Sequence, residues 1–419
     1  MYLLSLFEEL KWRGLIKDCS DESRLEKVLD NEKINFYCGF DPTANSLTLG
    51  HLVQINTILL FYKNYHFPFI LIGSGTGLIG DPKESKERFL LSKEEIFYNS
   101  NSIRSQLENI FLNKKIKLVD NYNWISQIDF ISFFRKYGKL FNINYMISKE
   151  IVAKRLKKGI SYTEFSYMLF QALDFYHLYK EFNVILQFGG SDQWGNITSG
   201  LELIRKMSLT KKNNKPLGFS IPLLLDTKGV KFGKSEKNTI WLDKKKSNSY
   251  EIYQYLLNIS DNDVIDLLKK ITLLTPDRII FLEEETKKNP RQRAAQKELA
   301  KFVVMFLHGY EELEKCIKIN NILFNKDLKK WDLDDFIFLS KHLDFYKTKE
   351  NILLVDALVY AKFAISKNEA RRLILSNSIK VMGNSITKVD FILESQKAFD
   401  NKYVLLTKKN KINFLIIFD

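Results

Sequence analysis

Residues 34–72 restrict the fold more than any other stretch: a short apolar run, a helical period, then a second apolar run. Residues 34–39 (Ile-Asn-Phe-Tyr-Cys-Gly) read as a buried strand bounded by Gly39 and Pro42. Leu52, Ile55, Leu59 and Tyr62 then recur at helical spacing over 51–65, and 67–72 (Phe-Pro-Phe-Ile-Leu-Ile) read as a second strand. Strand, helix and strand at this spacing form a βαβ unit, and so a parallel sheet. A further buried strand at 183–188 (Asn-Val-Ile-Leu-Gln-Phe) also runs into a glycine turn, Gly189-Gly190. Ligands of such sheets bind at the carboxyl ends of the strands, where all three turns belong.

At 419 residues the chain is too long for one ordinary domain. From about 249 to 320 the pattern is helical, with helices expected at 249–258, 262–270 and 294–308. Residues 320–350 are polar and weakly periodic and read as a connector. The last part, 351–419, is a small basic α+β module. It has a helix at 351–362, Ser366 as N-cap of a helix over 367–376, and strands at 379–382, 402–407 and 412–418.

Several classes are excluded. Cys19, Cys38 and Cys316 are odd in number and far apart, which supports neither a disulfide framework nor a zinc ribbon. The five histidines sit at no metal-ligand spacing, so no protein-bound metal is expected. The N-terminus carries Glu8, Glu9 and Lys11 in an amphipathic pattern unlike a signal peptide, and no run of about 20 apolar residues occurs. A reducing, cytoplasmic setting without a membrane is expected. The net charge of +14 fits a polyanionic partner or a general lysine bias, and charge alone does not choose between them.

Two glycine motifs are decoys. Gly75-Thr-Gly77-Leu-Ile-Gly80 has the dinucleotide spacing, but Asp81-Pro82 follows at once and blocks the helix that such a fingerprint opens. Gly233-Lys234-Ser235 ends like a P-loop, yet its first glycine position is Lys228 and no strand precedes it. The segment from Lys228 to Ser235 reads instead as a basic loop, either solvated or able to meet phosphates with Lys231 and Lys234. The loop from Asp41 to His51 is different. Gly50 permits close approach of a ligand, and a helix starting near His51 offers free N–H groups to a phosphate.

Taken together, Tyr37-Cys-Gly-Phe-Asp-Pro-Thr43, Leu-Gly-His51, Gly77-Leu-Ile-Gly-Asp-Pro82, Gly189-Gly-Ser-Asp-Gln-Trp-Gly-Asn196 and Lys231-Phe-Gly-Lys-Ser235 resemble the bacterial tyrosyl-tRNA synthetases, in the family's order. The resemblance implies an α/β fold. A Rossmann-like parallel-sheet catalytic domain (1–245) would be followed by a helical anticodon-side domain (246–325), a connector (326–350) and a small α+β RNA-binding domain (351–419). It implies ATP as substrate with Mg2+ on the nucleotide, a homodimer, and L-tyrosine and its tRNA as partners. Tyr37 and Asp174 would meet the substrate phenol, and Asp81, Tyr167 and Gln171 its ammonium. Asp192 and Gln193 would meet the ribose and the reacting carboxyl. Thr43, His51, Lys231 and Lys234 match pyrophosphate-handling positions, and Asp41, Gly50, His51, Asp192 and Lys234 fall at the ATP site. Lys367, Arg371, Arg372 and Lys380 would contact RNA, the alternative being a solvated helix face.

Part of this stands on spacing alone. Tyr167, Gln171 and Asp174 lie at i, i+4 and i+7, one face of an otherwise apolar helix. One departure stands out: the family's His-Ile/Leu-Gly-His is here Thr48-Leu-Gly-His51. Thr48 is expected to give one hydrogen bond to the departing phosphates in place of a histidine, and losing one such donor costs roughly 3–4 kcal/mol. A slower enzyme, accelerated by Thr48→His, is the expectation. Competing readings are the sister synthetase for tryptophan, against which Tyr37 and Asp174 argue, and an RNA-binding protein descended from a synthetase.

Overall fold

The computed structural model describes residues 4–82, 89–156, 158–207, 215–225, 232–233, 239–324, 331–409 and 412–419. The chain divides into two compact units, Met1–Asn248 with Leu256–Leu307, and Ser249–Tyr255 with His308–Asp419.

In the first unit, β1 (Asp18–Cys19), β2 (Asn35–Phe40), β3 (Phe67–Ile72), β4 (Lys117–Asp120), β5 (Val184–Gly190) and β6 (Leu217–Ile221) form one sheet, ordered β1-β6-β5-β2-β3-β4. All neighbours are parallel except β1 with β6. The three expected strands are β2, β3 and β5, and the expected helix after β2 is Leu52–Lys63. Alternate residues take opposite faces. Phe36, Phe188 and Phe219 pack with Phe61 on one face, ring centroids 4.7–6.0 Å apart. Tyr37, Phe69 and Leu71 pack with Phe175 on the other. A one-residue slip of β2 would exchange Phe36 for Tyr37, so packing fixes the register.

Helix Leu52–Lys63 is buried nearly all round, packed beside helix Asp261–Ile271. Asn56 donates to the carbonyls of Lys270 and Thr272, both at 3.0 Å. Arg13, only 1% exposed, donates to the carbonyls of Lys269 (2.8 Å), Thr272 (3.0 Å) and Leu274 (2.7 Å) and to Glu9 (2.8 Å). These donors satisfy carbonyls that a helix leaves open at its last turn.

The second unit contains a five-stranded sheet in the spatial order Asn384–Ser385, Ile379–Val381, Tyr403–Lys408, Ile412–Phe418, Phe345–Thr348. Helices Leu354–Tyr360 and Lys367–Leu375 cover the face of Val404, Leu406 and Ile416. Trp331, Phe336 and Leu339 cover the face of Tyr403, Leu405 and Leu415. The stretch read as a polar connector thus supplies a helix, Leu333–Ser340, and an edge strand, Phe345–Thr348, parallel to the last strand. That strand is half exposed along its length, which hides it in a polar sequence. Among the described residues no helix is long and apolar enough to cross a membrane.

Arg13→Met removes the side-chain donor from the Lys269 and Leu274 carbonyls, leaves the Thr272 carbonyl to Asn56 alone, and leaves Glu9 without its buried partner. The expected loss is about 3–5 kcal/mol of unfolding free energy, read from urea denaturation, and a loss below about 1 kcal/mol contradicts this account.

Candidate active site

The chain leaves β2 for β3 and β4 on one side and returns with β5 and β6 on the other, so the strand order reverses between β2 and β5. A cleft of about 470 Å³ opens there. It is lined by Tyr37, Asp41, Thr43, Thr48, Gly50, His51, Asp81, Tyr167, Gln171, Asp174, Asp192 and Gln193. The sequence-derived candidates of the first unit are therefore brought together, apart from Lys231 and Lys234, which lie outside the described residues. Of the two residues between these lysines, Phe232 lines the cleft and Gly233 accepts from the Ile240 N–H at 2.8 Å.

At the mouth, residues 47–51 are tied to 239–242. Thr48 bridges Trp241, and the Leu49 N–H meets the Ile240 carbonyl at 3.2 Å. Leu49–His51 form a single 3-10 turn before helix Leu52–Lys63. A Cβ placed on Gly50 would meet only ordinary contacts, 3.6 Å from Thr48 Oγ1 and 3.7 Å from the Phe232 carbonyl. The protein itself leaves room for a side chain at Gly50.

In the middle, the Asp41 carboxylate accepts from the Tyr167 hydroxyl at 2.6 Å and from Thr76 Oγ1 at 2.8 Å. Gly73 makes room for it, since a Cβ there would fall 1.9 Å from Asp41 Oδ1. Asp81 accepts from Gln193 Nε2 at 2.9 Å and from Asn196 Nδ2 at 3.3 Å. Asn196 also reaches Gln171 Oε1 and Gln193 Oε1, both at 3.0 Å, and so ties three candidates together.

Sequence reasoning did not single out Thr76, Asn121, Trp124, Gln187 or Asn196. Thr76 and Asn196 stand inside quoted motifs, whereas Asn121 and Trp124 follow β4, a half-buried edge strand with no clear sequence signal. In the second unit, Lys367, Arg371 and Arg372 are exposed on one helix and Lys380 is half-buried on the next strand. Lys367 is paired with Asp356 at 2.6 Å.

The deep end belongs to helix Tyr162–Phe182, capped by Ser161 and closed by Asn183 in the left-handed region (φ 50°). Asp174, 1% exposed, accepts from Asn121 Nδ2 at 2.9 Å and Trp124 Nε1 at 2.8 Å. Burial pushes its carboxyl up to about 8, against the lowering pull of those two donors. Tyr37 is buried beside it, and among the described residues its hydroxyl has no partner. Burial, then the Asp174 charge, lift that phenol well above its ordinary range. A carboxyl raised on folding stabilises the fold below its unfolded pKa, and that contribution is lost as pH rises through about 8. The unfolding free energy of the ligand-free protein relative to Asp174→Asn is expected to fall across this window, by up to about 1.4 kcal/mol per pH unit. Parallel pH curves for the two proteins in urea denaturation would contradict it.

The comparisons with known proteins agree with this geometry. The family described as "tRNA synthetases class I (W and Y)" matches residues 29–325, and the "Tyrosine--tRNA ligase SYY-like C-terminal domain" matches 338–416. The chain is 56% identical over 416 residues to a tyrosine-tRNA ligase of Onion yellows phytoplasma (strain OY-M), covering 99% of this chain and 100% of that one. It is 42% identical over 417 residues to that of Staphylococcus haemolyticus (strain JCSC1435), covering 98% and 99%. The crystal structure of a C-terminally truncated Aspergillus nidulans mitochondrial tyrosyl-tRNA synthetase matches with a TM-score of 0.69 at 28% identity, covering 76% of this chain and 94% of that one. The chain belongs to the class I aminoacyl-tRNA synthetases and, within them, to the bacterial-type tyrosyl-tRNA synthetases.

Proposed function

We propose that this tyrosine-tRNA ligase charges its tRNA through a tyrosyl-adenylate, releasing pyrophosphate in the first step and AMP in the second. The observation that carries the substrate reading is the buried, unpartnered Tyr37 hydroxyl beside Asp174. A phenol at the closed end of the cleft would supply both with a hydrogen-bond partner. The substrate ammonium would then face Asp81, Gln171 and Tyr167. Because the Tyr167 hydroxyl donates to Asp41, its lone pairs remain for an ammonium donor.

The tyrosine carboxylate is ionised at pH 7 and attacks the α-phosphorus of ATP without a general base. Acceleration then rests on positioning and on charge stabilisation at the leaving pyrophosphate. Thr43, His51, Lys231 and Lys234 take that role, Asp192 and Gln193 hold the ribose and the reacting carboxyl, and the bare backbone at Gly50 admits the nucleotide. Among the described residues no cluster of three or more His, Cys, Asp or Glu is arranged to hold a metal. Mg2+ is assigned to the nucleotide phosphates.

On this reading catalysis belongs to 1–245, the anticodon side to 246–325 and RNA binding to 351–419, whose sheet the stretch expected to connect completes with Phe345–Thr348. A homodimer is supported by the apolar surface of Phe130 (77% exposed), Ile131 (67%) and Ile143 (62%) on the helices that precede Tyr162–Phe182. The free cysteines Cys19, Cys38 and Cys316 suit a cytoplasmic protein.

Exchange of pyrophosphate into ATP, measured with each amino acid in turn, is expected with tyrosine alone, and its absence with intact protein would favour an RNA-binding role. Lys234→Ala is expected to lower the activation rate by about 10²-fold or more while tyrosine affinity stays close to wild type. A loss confined to tyrosine binding would refute that role. Replacing Arg371 and Arg372 together by Glu is expected to leave pyrophosphate exchange intact and to raise KM for tRNA by about tenfold or more, less so at high salt. Unchanged charging would exclude that helix from the RNA surface.

A further inference from the structure

The loop that carries Thr43 and His51 is tied down by a side chain that the two-step reading does not use. Gln106 stands on helix Lys93–Ile110, and its amide meets the turn at Ser46-Leu47. The Leu47 N–H donates to Gln106 Oε1 at 2.9 Å, and Gln106 Nε2 donates to Ser46 Oγ at 2.9 Å. A backbone N–H only donates, so the amide can point in one sense only. The Ser46 hydroxyl also accepts from the Asp243 N–H at 3.2 Å and gives its own proton to the Leu47 carbonyl at 2.9 Å. Ser46 and Leu47 are 3% and 1% exposed, so a donor that loses its acceptor here has no water to turn to.

Two segments meet at this turn. The Leu242 N–H donates to the Leu47 carbonyl at 2.8 Å and the Leu49 N–H to the Ile240 carbonyl at 3.2 Å, which makes the mouth loop and residues 240–242 one short antiparallel ribbon. Residues 240–242 are also where the chain returns from the segment of Lys231 and Lys234, and the Ile240 N–H donates to the Gly233 carbonyl at 2.8 Å. The ladder holds the two strands of the ribbon to each other. The mouth loop is fixed at its ends by β2 and by helix Leu52–Lys63, and between them the Gln106 amide ties it to a third element.

We propose that Gln106 is a positioning residue that sets, through Ser46 and Leu47, the place of both groups of donors to the departing pyrophosphate. Thr43 and His51 lie on one strand of the ribbon's chain, and Lys231 and Lys234 on the segment that leads into the other. Charge on a leaving phosphate is stabilised most by donors already in place, so a ribbon free to shift loses rate. The closed end of the cleft is held separately, by Asn121 and Trp124 on Asp174, and does not share the anchor. This inference rests on the two-step reading for its effect on rate, while the anchor itself is read without turnover.

Amide hydrogen exchange and the kinetics of tyrosine-dependent pyrophosphate exchange test it on the intact protein. Gln106→Met keeps the length of the side chain and removes both hydrogen bonds. It is expected to speed hydrogen exchange by about tenfold or more at 44–49 and also at 240–243, although Gln106 touches only the first. Gln106→Glu keeps an acceptor for the Leu47 N–H and is expected to keep wild-type protection. The activation rate of Gln106→Met is expected to fall about tenfold, the worth of one buried hydrogen bond, with KM for tyrosine unchanged. In Lys234→Ala, where one of the placed groups is already gone, the same substitution is expected to cost about threefold or less. Unchanged protection at 240–243, an equal loss in both backgrounds, or a change confined to KM for tyrosine overturns the proposal. Should wild type show no pyrophosphate exchange at all, the functional reading fails, while the hydrogen-exchange comparison still decides the anchor.

Discussion

Strands β2 and β5 pair in parallel with Tyr37 level with Gln187, and their successors lead to opposite edges of the sheet, so the gap beyond their carboxyl ends stays open. The cleft follows from that arrangement. The turns after the strands then determine what can enter it. Asp41 rests against Gly73 after β3, and Asp192 rests against Gly190 at the end of β5, where a Cβ would fall 2.5 Å from Asp192 Oδ1. Alanine at either glycine would push a carboxylate out of its seat. Gly73, just ahead of the glycines that mimic a dinucleotide motif in sequence, and Gly190 thus seat acidic side chains.

Those carboxylates are oriented by neutral groups. Asp41 takes hydroxyl protons from Tyr167 and Thr76, Asp81 takes amide protons from Gln193 and Asn196, and Asp174 takes N–H groups from Asn121 and Trp124. A hydroxyl or amide donor fixes a carboxylate's geometry without itself cancelling the charge. The three sites differ in depth. Asp174 is driven towards its neutral form by burial, while Asp41 and Asp81 lie only partly buried nearer the mouth. On the proposed reading the closed end takes the substrate hydroxyl and the middle takes its ammonium.

Much of this was legible in the sequence, and what escaped has physical reasons. Strands β2, β3 and β5 are buried on both faces, so they appear as unbroken apolar runs closed by glycine. β1 has two residues, and β4 is a half-buried edge, so neither stands out. The polar face of Tyr167, Gln171 and Asp174 was visible because helical spacing places those side chains together whatever surrounds them. Asn121 and Asn196 were not, because an asparagine near a turn looks the same whether it faces water or holds a carboxylate in the cleft. Phe345–Thr348 escaped for the opposite reason: its pairing partner, Ile412–Phe418, lies more than sixty residues away, and no local pattern announces a contact of that range.

Leaving Tyr37 Oη buried without a partner and burying Asp174 work against stability in the ligand-free protein. A buried polar group without a partner costs about 1–3 kcal/mol. The protein has a simple alternative, a phenylalanine at position 37, which would remove the unsatisfied hydroxyl. Keeping the tyrosine makes sense if a ligand hydroxyl regularly fills the gap, because the penalty then disappears on binding and appears as selectivity. On that reading a ring lacking the hydroxyl buries the same apolar surface but leaves the Tyr37 hydroxyl unmatched, a penalty that corresponds to a preference on the order of 10–10². The instability of the empty cleft and its choice of substrate thus have the same source.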